Sequence, residues 1–153
     1  MSTINIIIKQ FEIIATNHLQ INSFGIGDNW EIGANEASLT PQFWVNPTDA
    51  YMEKENDNYQ STVYSFNIKC YDLVNKDETN ENEVLSDTLQ ILQDVIAEFN
   101  TNPDMMDLDI VIDNSLSFLP FTERFDSEVS GWEVKIDLKQ PFNSCYTSKP
   151  VNR

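Results

Sequence analysis

The sequence predicts an α+β fold: a two-layer sandwich in which a mostly antiparallel sheet of four to five strands packs with two helices. Three stretches carry that expectation. In the strand from Thr62, Tyr64, Phe66, Ile68 and Cys70 alternate with Ser65, Asn67 and Lys69, the period of two that a sheet with one buried face requires. From Val84 the period lengthens, and Val84, Leu85, Thr88, Leu89, Leu92, Val95, Ile96 and Phe99 make one apolar helical stripe. Trp132, Val134, Ile136 and Leu138 then alternate with Glu133, Lys135, Asp137 and Lys139, the cleanest strand in the chain. A one-faced strand and a one-striped helix each need a cover, and the simplest cover is the other.

The remaining elements follow in order. Residues 3–19 read as a helix, with Ile4, Ile7, Ile8, Phe11, Ile14 and Ala15 on one face and Ser2 or Thr3 as its cap. Residues 21–37, with Gly25, Gly27 and Gly33, read as a structured connection anchored by Phe24, Trp30 and Ile32. Pro41 to Val45 reads as a short strand bracketed by Pro41 and Pro47, with Phe43 and Val45 on one side and Trp44 on the other. The polar run 51–59 reads as an exposed hairpin tip, so that 41–74 form an antiparallel hairpin. The acidic turn at 72–83 leads into the second helix, which Pro103 stops. Leu108, Ile110 and Ile112 alternate with Asp109, Val111 and Asp113 as a third strand. Leu116 to Phe125, holding Pro120, reads as an irregular or edge strand. Ser130-Gly131 supplies the turn before the last strand, Pro141 ends it, and a polar tail without predicted structure begins at about 143.

The 153 residues suit one domain, 1–153, large enough to bury a core without a metal or disulfide. Cys70 and Cys145 sit in different contexts, a strand and a polar tail, so a disulfide is not implied and folding inside a cell is the natural expectation. No signal peptide and no apolar run of membrane-spanning length are present in the sequence, which predicts a soluble protein. Nine Lys and Arg against twenty-five Asp and Glu give a net charge of −16. Such a surface repels phosphate, and ordinary nucleic-acid binding through displaced counterions is not expected. The acidic coat serves solubility, or lets DNA slide past without sticking.

A search for chemistry finds little. Gly25-Ile-Gly27 is followed by Trp30 where a dinucleotide fingerprint needs glycine, and no P-loop lysine follows. The turn at 72–83 lacks the glycine and the terminal glutamate of an EF-hand loop. Asp107, Asp109 and Asp113 alternate onto a wet face rather than into a metal cluster. His18, the only histidine, continues an apolar face and has no nucleophile near it in sequence, so a packed residue is expected rather than a base. No enzymatic activity, cofactor, metal or catalytic residue is expected; the residues favour a scaffold or interaction protein.

Three stretches are distinctive as strings: Ser23-Phe-Gly-Ile-Gly-Asp-Asn-Trp-Glu-Ile, the run from Asp72 to Ile91, and Pro120-Phe-Thr-Glu-Arg-Phe-Asp-Ser-Glu-Val-Ser-Gly-Trp. They resemble a family of tailed-phage structural proteins, the neck, tail-terminator or tail-completion proteins, including ring proteins of crAss-like phages. The helix–hairpin–helix–hairpin order is similar to that of tail-terminator proteins, and the resemblance spans about residues 4 to 146. It implies a subunit made in the bacterial host cytoplasm that enters the virion and forms a six- or twelve-membered ring between portal or neck and tail. Its partners are then copies of itself and the adjoining neck, portal-adaptor or tail proteins, with DNA only as transiting cargo and no membrane. The candidate inter-subunit contacts are Lys54, Glu55 and Asp57 at the hairpin tip, Arg124 beside Glu123 and Asp126, and Cys145, Tyr146 and Lys149 in the tail. The competing class is a small acidic interaction module, such as an inhibitor that mimics the charge of DNA.

Overall fold

The apolar stripes of two long helices close onto one face of a six-stranded sheet. The computed structural model describes residues 3–27, 40–56, 59–75, 77, 79–124 and 128–142. In order the elements are α1 (Thr3–Asn17), β1 (Ser23–Ile26), β2 (Gln42–Asn56), β3 (Tyr59–Leu73), α2 (Glu81–Asn100), α3 (Pro103–Asp107), β4 (Val111–Ile112), β5 (Phe118–Arg124) and β6 (Glu128–Phe142). The strands run β1-β2-β3-β6 across the sheet, and β4 and β5 both pair with β6. Among the described residues, only β1 and β2 pair in parallel. The expected α+β two-layer fold is therefore present, with one strand more than expected and a short third helix.

The core sits between the helices and the inner face of the sheet. Phe11 of α1 stacks on Phe99 of α2, with ring centroids 4.8 Å apart, and tilts against Phe43 and Phe66 of the sheet at 6.0 and 6.1 Å. Ile7 and Ile14 flank it on α1; Val84, Thr88, Ile91, Leu92, Val95 and Ile96 form the buried side of α2. Leu85 and Leu89 lie at the margin of that stripe, whereas Ile91 is buried. Phe66, Ile68 and Cys70 of β3 and Val134, Ile136 and Leu138 of β6 complete the layer, as their alternation predicts. Trp132 anchors β6 to the helix by donating from Nε1 to the Leu85 carbonyl at 2.7 Å.

Several local expectations are corrected. The segment after α1 contains β1, which lies parallel along Gln42–Val45; residues 28–39, including Trp30 and Ile32, lie outside the described residues. The short strand at 41–45 is the start of a strand that continues to Asn56, and most of the expected tip at 51–59 is paired strand. From Pro47 onward every β2 residue is exposed, so no apolar alternation marks the strand in the sequence. The expected third strand shrinks to Val111–Ile112. Asn102 caps α3 by accepting from the amides of Asp104 and Met105, Pro103 takes the first turn, and Asp109 turns the chain at a φ of 56°. Ser130-Gly131 is not a turn but lies within β6, opposite Asp72 and Tyr71.

One edge of β6 is shared by two short strands. β5 pairs with Glu128–Val134 and β4 with Leu138 and Lys139. The Asn114 side chain fills the gap between them: its Nδ2 donates to the Lys135 carbonyl at 3.0 Å and its Oδ1 accepts from the Asp137 amide at 2.9 Å. An amide side chain thus stands in for a missing strand residue.

Candidate assembly surface

Past the main core, β2, β3 and the end of β6 continue as an arm, with β4 beside β6 at Leu138 and Lys139. The ladder between β3 and β6 runs from Leu73–Val129 at one end to Gln60–Phe142 at the other. β1 covers the far edge of β2 only over Gln42–Val45, so from Asn46 onward that edge has no strand partner among the described residues. The arm keeps its order through cross-strand pairs together with the buried Val63 and Leu138.

Its outer face is polar and mostly acidic. Asp49, Tyr51 and Glu53 of β2 stand opposite Ser65, Val63 and Ser61 of β3, and these stand opposite Asp137, Lys139 and Pro141 of β6. Ser65 Oγ donates to Asp137 Oδ1 at 2.7 Å. Lys139 Nζ lies 3.5 Å from Glu53 Oε2 and also pairs with Glu55, whose Oε1 accepts from Ser61 Oγ at 3.4 Å. The hydrogen bond from Lys139 holds the Glu55 carboxyl below its ordinary range, and the same bond raises the Lys139 ammonium. Partial desolvation, followed by the carboxylates of Asp137, Glu53, Asp113 and Asp49, raises the Tyr51 phenol. Beside this ladder is an open cleft of ≈ 470 Å³ lined by Glu55, Tyr59, Ser61, Asp109, Val111, Lys139 and Pro141. The inner face of β2 carries Ala50 and Met52, and Met52 is 53% exposed.

At the other end of the outer face the sheet is sealed. Trp44, Tyr71, Val129 and Phe121 form a second apolar cluster. Trp44 lies across Gly25, where a Cβ would meet its ring carbons at 2.1 Å, and donates from Nε1 to the Gly27 carbonyl at 2.8 Å. Lys69, expected on a wet face, is 3% exposed, 3.2 Å from Glu133 and over the Phe121 ring. Its ion pair and ring contact keep a buried ammonium satisfied. His18 is half-buried, as its position on the apolar face predicts. Its Nδ1 accepts from the Gln20 amide, so Nε2 carries the proton and donates to Asp94 at 3.0 Å, tying the end of α1 to α2. Among the described residues, no three His, Cys, Asp or Glu side chains converge as metal ligands.

Of the candidate contacts, Lys54 and Glu55 lie on β2 near the end of the arm, not in a loop. Asp57, Cys145, Tyr146 and Lys149 lie outside the described residues. The main chain of Arg124 ends β5 opposite Glu128, with its side chain outside the described set. Glu128 and Phe142 bound β6, so Arg124 lies at the opposite end of the sheet from the arm tip, about 45 Å away at ~3.3 Å per residue. Cys70 is buried with a free thiol, and burial pushes its ionisation up. No family model and no curated protein matches the chain.

The sequence reading missed Glu53, Tyr51 and Lys139 as members of one surface. Their signal was present: 49, 51 and 53 alternate, as does Lys139 on β6. The polar composition disguised a strand as a loop tip. No helix among the described residues is long and apolar enough to cross a membrane.

Proposed function

We propose that this chain is a virion structural subunit that assembles side by side into a ring in the neck or tail-terminator region of a tailed bacteriophage, joining portal or neck to tail. The arm is the single observation that carries this reading. Ten consecutive residues of β2, 47–56, are exposed, yet the strand stays paired to β3 through register shifts at Pro47/Asp49 and Lys54/Asn56, and among the described residues no strand lies on its other edge. A long open edge is a hazard that isolated proteins blunt, and a use for proteins that assemble. Two further facts support the reading. The candidate contacts on the arm and at Arg124 lie on different parts of the sheet, as a heterologous interface requires, and such an interface forms a ring when its rotation closes. The net charge of −16 keeps DNA phosphate from adhering to a lumen the subunits enclose.

Quantitative mass spectrometry of purified particles tests it. A copy number of six or twelve relative to one portal supports a ring component; absence from the particle overturns the assignment. The acidic ladder of Asp49, Glu53, Glu55 and Asp137 favours one second reading, a monomeric module that binds a basic partner in place of DNA. Absence from particles combined with salt-sensitive capture of a basic protein is its signature.

A further inference from the structure

We propose that a cleft at the middle of the sheet's outer face binds a carboxylate, with Lys135 as its charged anchor. The site stands apart from the ring reading and does not depend on it. The cleft has a volume of ≈ 450 Å³, and its lining comes from β2, β3, β5, β6 and the segment that joins β4 to β5. Its floor holds Asn67 and Lys135, which lie directly opposite each other on β3 and β6.

Both walls are fixed from outside the cleft. Leu116 and Phe118 pack against the main core, so alternation turns Ser115, Ser117 and Leu119 to the cleft. Asn114 ties the start of this segment to β6 through its bonds to the Lys135 carbonyl and the Asp137 amide. On the other side, the register shift between Pro47 and Asp49 sets Thr48 in the wall, and its Oγ1 donates to the Ser65 carbonyl at 3.2 Å. A lining held this way needs little ordering when a ligand arrives.

The chemistry of the lining selects the ligand. Lys135 is exposed, and among the described residues no carboxylate pairs with it, whereas Lys9, Lys69 and Lys139 each lie within 3.7 Å of one. The carboxylates beside it on the same face of β6 are engaged elsewhere. Glu133 lies 3.2 Å from Lys69 Nζ and accepts from Asn67 Nδ2 at 3.5 Å, and Asp137 accepts from Ser65 Oγ at 2.7 Å. Ser115 and Ser117 are exposed, and their hydroxyls make no hydrogen bond to a described residue. The cleft therefore offers an ammonium, two hydroxyls and the second amide hydrogen of Asn67, all donors. A carboxylate accepts at both oxygens and donates nothing. With one ammonium and no guanidinium in the lining, the cleft offsets a single negative charge, where a phosphate brings about 1.5–2. Leu119, 57% exposed, gives the ligand's carbon chain an apolar contact. A glutamate side chain has this form, and it can come from another copy of the chain or from a molecule outside it.

Amide chemical shifts of the ¹⁵N-labelled full-length chain test this, with N-acetylglutamate N′-methylamide as the ligand and the matching glutamine compound as its uncharged isostere. Saturable shifts are expected at residues 67, 115–119 and 133–135, with a millimolar dissociation constant for the glutamate compound and binding at least about tenfold weaker for the glutamine one. Lys135→Gln alters an exposed side chain without a described partner, so the fold persists while binding falls by the same factor; Lys135→Arg retains the charge and most of the binding. No saturable shift at these amides, equal binding of the two compounds, or unchanged binding by Lys135→Gln overturns the inference. A dilution series without added ligand then identifies the source. Shifts at the same amides that follow protein concentration, and vanish in Lys135→Gln, support the site with a carboxylate from another copy. Shifts constant with concentration, alongside binding of the glutamate compound, support it with a carboxylate from outside the chain.

Discussion

Gly131 shows how one atom fixes the alignment of two long strands. It sits in β6 opposite Tyr71, and a Cβ built on it would stand 1.9 Å from the Cys70 carbonyl oxygen and 2.7 Å from the Tyr71 Cα. Both obstacles are main chain, so no rotamer change relieves them. Gly131→Ala is expected to destabilise the fold by about 1–3 kcal/mol, the usual cost of overpacking, read as a lower denaturation midpoint at unchanged m-value. In the sequence the same glycine, next to Ser130, reads as a turn. Local composition reports a chain's freedom to bend, whereas the reason for this glycine lies on β3, some sixty residues away. Lys69 was opaque for a related cause. Alternation placed it correctly on the outer face, but the cover over it comes from Phe121 and Glu133, on two other strands. The core residues Phe66, Ile68, Val134 and Ile136 were legible because burial of one face is written directly into a period of two.

At the scale of elements, Asn114 governs whether β6 has one continuous edge or two fragments. Its side chain serves a carbonyl and an amide two residues apart, and the Asp113 amide donates to the Asp137 carbonyl at 2.9 Å beside it. Asn114→Ala removes a donor and an acceptor together. The expected cost is about 0.5–1.5 kcal/mol, since the bond to the Lys135 carbonyl is exposed and only the one from the Asp137 amide is partly buried. The faster hydrogen exchange should be concentrated at the Asp137 amide; a uniform rise across β6 would contradict a local bridge. The helices show what sequence periodicity reads well: α2 needed only its stripe. β2 shows what it misses. Phe43 and Val45 face the core and Trp44 the opposite face, as expected, while the residues from Pro47 on hold their shape by pairing with β3, a contact that leaves no apolar pattern behind. The shortened β4 has another cause. The Asn102 cap and the left-handed Asp109 spend residues 102–109 on a helical turn, which alternation in the apolar residues cannot distinguish from a strand.

For the whole molecule, charge opposes assembly before any contact forms. Copies carrying −16 repel one another over distances longer than the contacts that join them. Added salt acts unequally on the two terms. The Debye length falls from ~30 Å at 0.01 M to ~8 Å at 0.15 M, which cancels most of the long-range repulsion between subunits. Contacts buried where subunits meet are screened less than exposed charges, so the attraction loses less. Self-association of the chain is therefore expected to strengthen as salt rises over that range, measured by sedimentation velocity at fixed protein concentration. A DNA-mimicking module responds in the opposite sense, because its attraction to a basic partner is itself the long-range term and weakens with salt. The sign of the salt dependence thus separates the two readings: self-association that grows with salt supports a ring subunit. A chain that stays monomeric throughout, while its capture of a basic protein falls with salt, makes the acidic face of the arm a decoy for DNA.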